Sequence, residues 1–98
     1  MYKVLRINEF LDWVNSQKDI QLKDRIRIRI AHVEDGNLGD YKSIGDNLYE
    51  LRLTYGPGHR IYYTKKGNAI ILLLCAGDKS SQSKDIKYAK KLAQEVEI

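Results

Sequence analysis

The sequence predicts an α+β domain of order β-α-α-β-β-β-α, with two N-terminal antiparallel helices packed on a mainly antiparallel sheet and a C-terminal helix. Three observations carry this. Apolar residues recur at helical spacing in the first third, alternate with period two in the middle, and return to helical spacing at the end. With 98 residues and 43% hydrophobic content, one core suffices, so residues 1–98 form a single domain.

The elements follow in order. Tyr2 to Ile7 reads as a short strand, and Asn8 caps a helix carrying Phe10, Leu11, Trp13 and Val14. "DRIRIRIAHVEDG" opens with three Arg-Ile pairs, which alone read as a strand. A longer window decides against it: Leu22, Ile26, Ile30 and Val33 lie on one helical stripe, with Ala31 close by and Ile28 as the misfit. Asp19 or Asp24 supplies negative charge to the first turn, Gly36 terminates the helix, and Arg25 and Arg29 form a solvated basic face. "NLGDYKSIGDN" reads as a surface connection.

The period then changes to two. "LYELRLTY" sets Tyr49, Leu51 and Leu53 against Glu50 and Arg52; after the "GPG" turn, "HRIYYT" sets Ile61 and Tyr63 against Arg60 and Tyr62. The continuous apolar run "AIILLLCAG" suits a central strand buried on both faces. "DKSSQSKDIKYAKKLAQEVEI" closes with a helix capped by Ser80 or Ser81, with Ile86, Ala89, Leu92, Ala93 and Val96 inward and Lys84, Lys87, Lys90 and Lys91 outward.

No apolar run is long enough to span a bilayer, the N-terminus lacks a secretory h-region, and the single Cys75 cannot form an intrachain disulfide. A reducing cytoplasm is the expected location. The formal charge of +4 attracts polyanions, but 13 acidic residues require the basic groups to cluster before nucleic acid binds. His32 and His59 have no partner at metal-ligand spacing and "GPG" opens no helix, so neither a metal nor a nucleotide cofactor is expected. What remains gathers at one end of the sheet. If the helical pair covers the apolar face, Arg52 and Arg60 project from an open face, with Lys79 beside them and Asp85, Tyr88 and Lys84 on the last helix above. His59, Tyr62 and Tyr55 add rings on which an unstacked base can rest.

The order of elements, with "ELR" at Glu50 to Arg52, "GPGHRIYY" at Gly56 to Tyr63 and "GDKSSQSKDI" at Gly77 to Ile86, resembles the RelE/ParE toxin superfamily, specifically its HigB-like "addiction module killer protein" branch. The resemblance covers nearly the whole chain and implies a toxin neutralised by a HigA-like helix-turn-helix antitoxin, with DNA contacted only through that partner. RelE-like and HigB-like members cut mRNA in the ribosomal A site without a metal, whereas ParE-like members inhibit DNA gyrase by binding. An inactive relic that only binds its antitoxin is the third reading. By position, the resemblance makes Arg60 the arginine at the scissile phosphate, Lys79 the basic residue after the last strand, Asp85 the site of a catalytic tyrosine, and Arg52 a basic residue of the second strand. The chain departs from the RelE pattern where two lysines are replaced by Leu48 and Glu50 and no tyrosine occupies position 85; Tyr88 is one turn away. The catalytic set so implied is Arg60, Lys79, Asp85 and Arg52, with His59, Tyr62, Tyr88 and Lys84 contacting RNA. His59, Asp85 or Glu50 is the candidate base, and Lys79 or Tyr88 the acid. Arg60→Ala is expected to abolish toxicity with the fold intact. Trp13 and Ile28 are candidates for apolar contact with the antitoxin.

Overall fold

In the computed structural model, which describes residues 1–96, the strands are β1 (Lys3–Arg6), β2 (Tyr41–Gly45), β3 (Leu48–Leu53), β4 (His59–Lys66) and β5 (Ile70–Asp78). The helices are α1 (Asn8–Ser16), α2 (Ile20–Glu34) and α3 (Gln82–Glu95), with a short 3-10 turn, Lys79–Ser81, leading into α3. The last two residues of the stretch read as a C-terminal helix lie outside the described residues.

The Arg-Ile alternation is helical. Leu22, Ile26, Ile30 and Val33 are buried, while Ile28 is 47% exposed, as its off-stripe position requires. Asp19 caps the helix, its side chain accepting from the Gln21 and Leu22 amides at 3.0 and 3.2 Å. At the other end Gly36, at φ +96°, donates to Val33 O and Asn37 donates to His32 O, the paired bonds of a Schellman ending. Asn8 does not cap α1: it is the first helical residue, Ile7 holds the cap position, and no side chain caps that end. Ser81 occupies the cap position of α3, but its hydroxyl makes no cap bond.

The sheet order is β1-β5-β4-β3-β2, with β1 parallel to β5 and every other pair antiparallel. One strand exceeds expectation. The stretch read as a surface connection contains β2, which forms a hairpin with β3 through Asp46 and Asn47, both left-handed at φ 55° and 58°. Asn47 Nδ2 donates to Lys65 O at 2.7 Å, and Thr64 Oγ1 donates to Asn47 O at 2.7 Å, tying this turn to the neighbouring strand.

Both faces of the sheet are covered. Phe10 and the α2 stripe pack on Leu51, Leu53, Ile61, Tyr63, Ile71 and Leu73. On the opposite face Ala89 and Leu92 of α3 pack on Leu48, Tyr62, Leu72, Leu74 and Cys75. β5 is therefore buried nearly throughout, as its unbroken apolar run requires. The face expected to be open lies under α3. No helix among the described residues is long and apolar enough to cross a membrane.

Candidate active site

Strand alternation places Arg52, Arg60 and Tyr62 on the α3 side with Glu50, because β3 and β4 pair Glu50 with Tyr62 and Arg52 with Arg60. Glu50 is 1% exposed and neutralised from two sides: Arg60 Nε lies 2.7 Å from its Oε2 and Arg52 Nε 3.4 Å from the same oxygen. The Arg60 contact is ionic, without the angle of a directed hydrogen bond. Arg60 is mostly covered, its side chain 16% exposed, whereas Arg52 keeps 37%. Tyr62 is fully buried, so it offers no surface for an RNA base; the cover of α3 accounts for this. Its phenol finds no hydrogen-bond partner among the described residues. Burial, followed by the charges of Glu50 and Asp85, pushes its pKa well up.

His59 belongs to the other side of the sheet. Its Nδ1 lies 3.1 Å from Tyr55 O, and since a carbonyl only accepts, Nδ1 carries a proton, which in the neutral ring leaves the lone pair on Nε2. The ring stands at 61° to Trp13, centroids 6.5 Å apart, and 6.3 Å from Tyr55. The Tyr55 hydroxyl in turn donates to Asp19 Oδ2 at 2.8 Å, linking this turn to the start of α2. That bond and the cap bond from Leu22 hold the Asp19 carboxyl below its ordinary pKa.

At the C-terminal end of β5, a pocket of about 360 Å³ brings His59 and Asp85 together; Trp13, Gln17, Gly77 and Ser81 also line it. The Asp85 carboxylate accepts from Ser81 Oγ through its Oδ2 at 2.5 Å, and the same oxygen occupies space that a Cβ on Gly77 would need. Gly77 is thus required for close approach. Asp78 accepts from the Ser80 amide at 2.9 Å and from the Ser80 hydroxyl, and these bonds keep its carboxyl below the ordinary value. Lys79 lies between these residues, exposed, its amide donating to Gly58 O at 3.0 Å.

The predicted residues therefore separate into two groups. Arg52 and Arg60 surround Glu50, and His59 and Asp85 share the pocket beside Lys79. Tyr88 is 43% exposed on α3, with Glu9 and Asp12 of α1 nearby; burial first, then Glu9, raises its phenol. Lys84 is exposed on α3. Trp13, Gly77 and Ser81 were not singled out as site residues by the sequence. The four-residue spacing of Ser81 and Asp85 was the readable signal. A larger groove, about 580 Å³, runs between α2 and the end of β3, with Arg25, Ile28, Arg29, Arg52 and Leu53 among its walls. Of the predicted site it contains Arg52 alone. No three His, Cys, Asp or Glu side chains converge for a metal among the described residues.

This architecture is a RelE fold. The crystal structure of the isolated E. coli RelE toxin matches it with a TM-score of 0.65, covering 89% of this chain and 97% of that one at 14% sequence identity. By sequence, the chain is 45% identical over 87 residues to an uncharacterized protein of Haemophilus influenzae, covering 89% of this chain and 88% of that protein. The chain belongs to that protein's family. No family model matches it.

Proposed function

We propose that the chain is the toxin of a type II toxin–antitoxin pair, restrained in the cytoplasm by a HigA-like helix-turn-helix antitoxin, and that it cuts mRNA on the ribosome without a metal. The observation that carries this reading is the RelE fold, matched over nearly the whole of both chains, with His59 and Asp85 in one pocket at the sheet end beside Lys79. Cleavage requires a base for the 2′-hydroxyl, cations for the charged transition state and an acid for the leaving 5′-oxygen. His59 is the base. With Nδ1 donating to Tyr55 O, the neutral ring presents Nε2 as acceptor, and the 2′-oxygen it frees attacks phosphorus. Lys79 returns a proton to the departing 5′-oxygen, leaving a 2′,3′-cyclic phosphate. Arg52, half free of Glu50 and outside the pocket, contacts the RNA backbone beyond it, while Arg60 acts through Glu50 to hold the arginine pair in place. Glu50 is too enclosed to act as base, and Asp85, held by Ser81 in the space that Gly77 leaves, contacts substrate rather than moving protons.

A ParE-like gyrase inhibitor is the second reading, supported by the partial neutralisation of Arg60 by a buried carboxylate. The test is induction in a bacterial cell and mapping of mRNA 5′ ends within minutes, with Lys79→Ala as control because Lys79 is exposed and its loss spares the core. New ends in frame within translated codons, absent from the variant, are expected. Growth arrest with intact mRNA and induced DNA damage would overturn the ribonuclease in favour of gyrase.

A further inference from the structure

The pocket at the end of β5 differs in charge from the rest of this basic protein. Its lining includes two carboxylates, Asp78 and Asp85, together with His59 and Trp13, and among the described residues no lysine or arginine lines it. Such a lining repels a phosphate and favours a neutral group rich in hydrogen-bond donors. Its volume, about 360 Å³, lies near the lower end for small-molecule sites.

Trp13 and His59, inclined at 61°, form two walls of a corner in which a planar ring can stack on one and meet the other edge-on. Asp85 is already oriented. Ser81 donates to Oδ2, the bare backbone of Gly77 leaves room for it, and Oδ1 makes no hydrogen bond among the described residues. A fixed carboxylate accepts best from two adjacent N–H donors. Among the RNA bases guanine alone presents such a pair, N1–H and N2–H, on its Watson–Crick edge; adenine and cytosine offer one amino group, and uracil one imino group between two acceptors.

We propose that the pocket formed by Trp13, His59, Gly77 and Asp85 binds a guanine base of single-stranded RNA, stacked on Trp13 and read by the Asp85 carboxylate. This rests on the reading of the pocket as an RNA site. The ribose 2′-hydroxyl then lies at the rim beside His59, and the phosphates lie outside the pocket, towards Lys79. Trp13 becomes a substrate-contacting residue and Asp85 a specificity determinant.

The experiment is an NMR titration of the 15N-labelled protein with guanosine, inosine and adenosine 5′-monophosphates, without ribosomes. Trp13 is the sole tryptophan, so its indole N–H signal reports stacking without ambiguity. Guanosine monophosphate is expected to shift the Trp13 indole and Gly77 amide signals with a Kd at least about fivefold below that of the inosine nucleotide, which lacks the N2 amino group. Asp85→Asn, close in shape and still able to accept from Ser81, should bring guanosine binding to the adenosine level, whereas Trp13→Leu should weaken all three. Equal shifts from all nucleotides would overturn the guanine assignment, as would shifts confined to residues away from the pocket. Guanosine selectivity in vitro with uncut mRNA in cells would support the site and overturn the ribonuclease reading. Cut mRNA with no selectivity in the titration would do the opposite.

Discussion

Glu50 shows how one buried charge constrains its neighbours. Its carboxylate is 1% exposed, and Arg60 at 2.7 Å is its nearer cation. Arg60→Ala removes that nearer cation and leaves Glu50 to Arg52 alone, and the expected loss is about 3 kcal/mol in urea denaturation, the lower end for breaking a buried pair because one partner remains. The sequence leads one to expect that the fold survives this change, and the urea midpoint of the variant tests that expectation directly. Gly77 sets a steric constraint. A methyl group there collides with Asp85 Oδ2, so Gly77→Ala is expected to destabilise by about 1–3 kcal/mol. Asp85→Ala in the same chain should recover part of that loss, a coupling that urea midpoints of the two single variants and the double variant measure directly. Period two made the facing of Arg52, Arg60 and Tyr62 legible, and adjacency in the strand placed His59 on the opposite side. The burial of Tyr62 was not legible, because it depends on which sheet face α3 covers, and no local pattern encodes that.

At the scale of elements, the helix hidden in alternating Arg-Ile pairs was readable because its apolar stripe extends beyond the alternation on both sides. β2 was not read, because four of its five residues are exposed and its composition matches a loop. The signal lay in its turn, where Asp46 and Asn47 both adopt left-handed angles suited to a two-residue hairpin. Asn47→Ala is expected to cost about 1–2 kcal/mol, since alanine tolerates φ 58° poorly and cannot bond Lys65 O. Asn47→Gly loses the same bond but keeps the conformation, so the difference in melting temperature between the two variants isolates the backbone contribution. Asp19 joins two elements, capping α2 and accepting from Tyr55. Its carboxyl is held below its ordinary value, so its stabilisation is present above that value and is lost as pH falls through the lower, folded one. Asp19→Asn should flatten the acid limb of the stability profile.

At the scale of the molecule, helices on both faces of the sheet bury Tyr62 and Tyr63 of β4 and Cys75 of β5. Burial, reinforced by Asp85, pushes the Cys75 thiol from 9.0 up to about 12, and burial likewise raises Tyr62 and Tyr63. Each group stays protonated when folded at pH values where the unfolded chain would release the proton. The unfolded state then binds fewer protons, and the slope of stability with pH is negative. Stability from Cys75 is thus complete below about pH 9 and is lost as pH rises towards 12, with the tyrosines adding to the loss from about pH 10. The acidic limb set by Asp19 and Asp78 is separate, since their folded values are depressed. Urea midpoints measured from pH 7 to 11 are expected to be level to about pH 9 and then fall. In Cys75→Ala the fall should begin about one pH unit later, because only the tyrosines remain to drive it. An unchanged onset in that variant would show that the thiol already ionises within the folded protein, and that α3 does not shield this core from water as closely as its packing on Cys75 and Tyr62 requires.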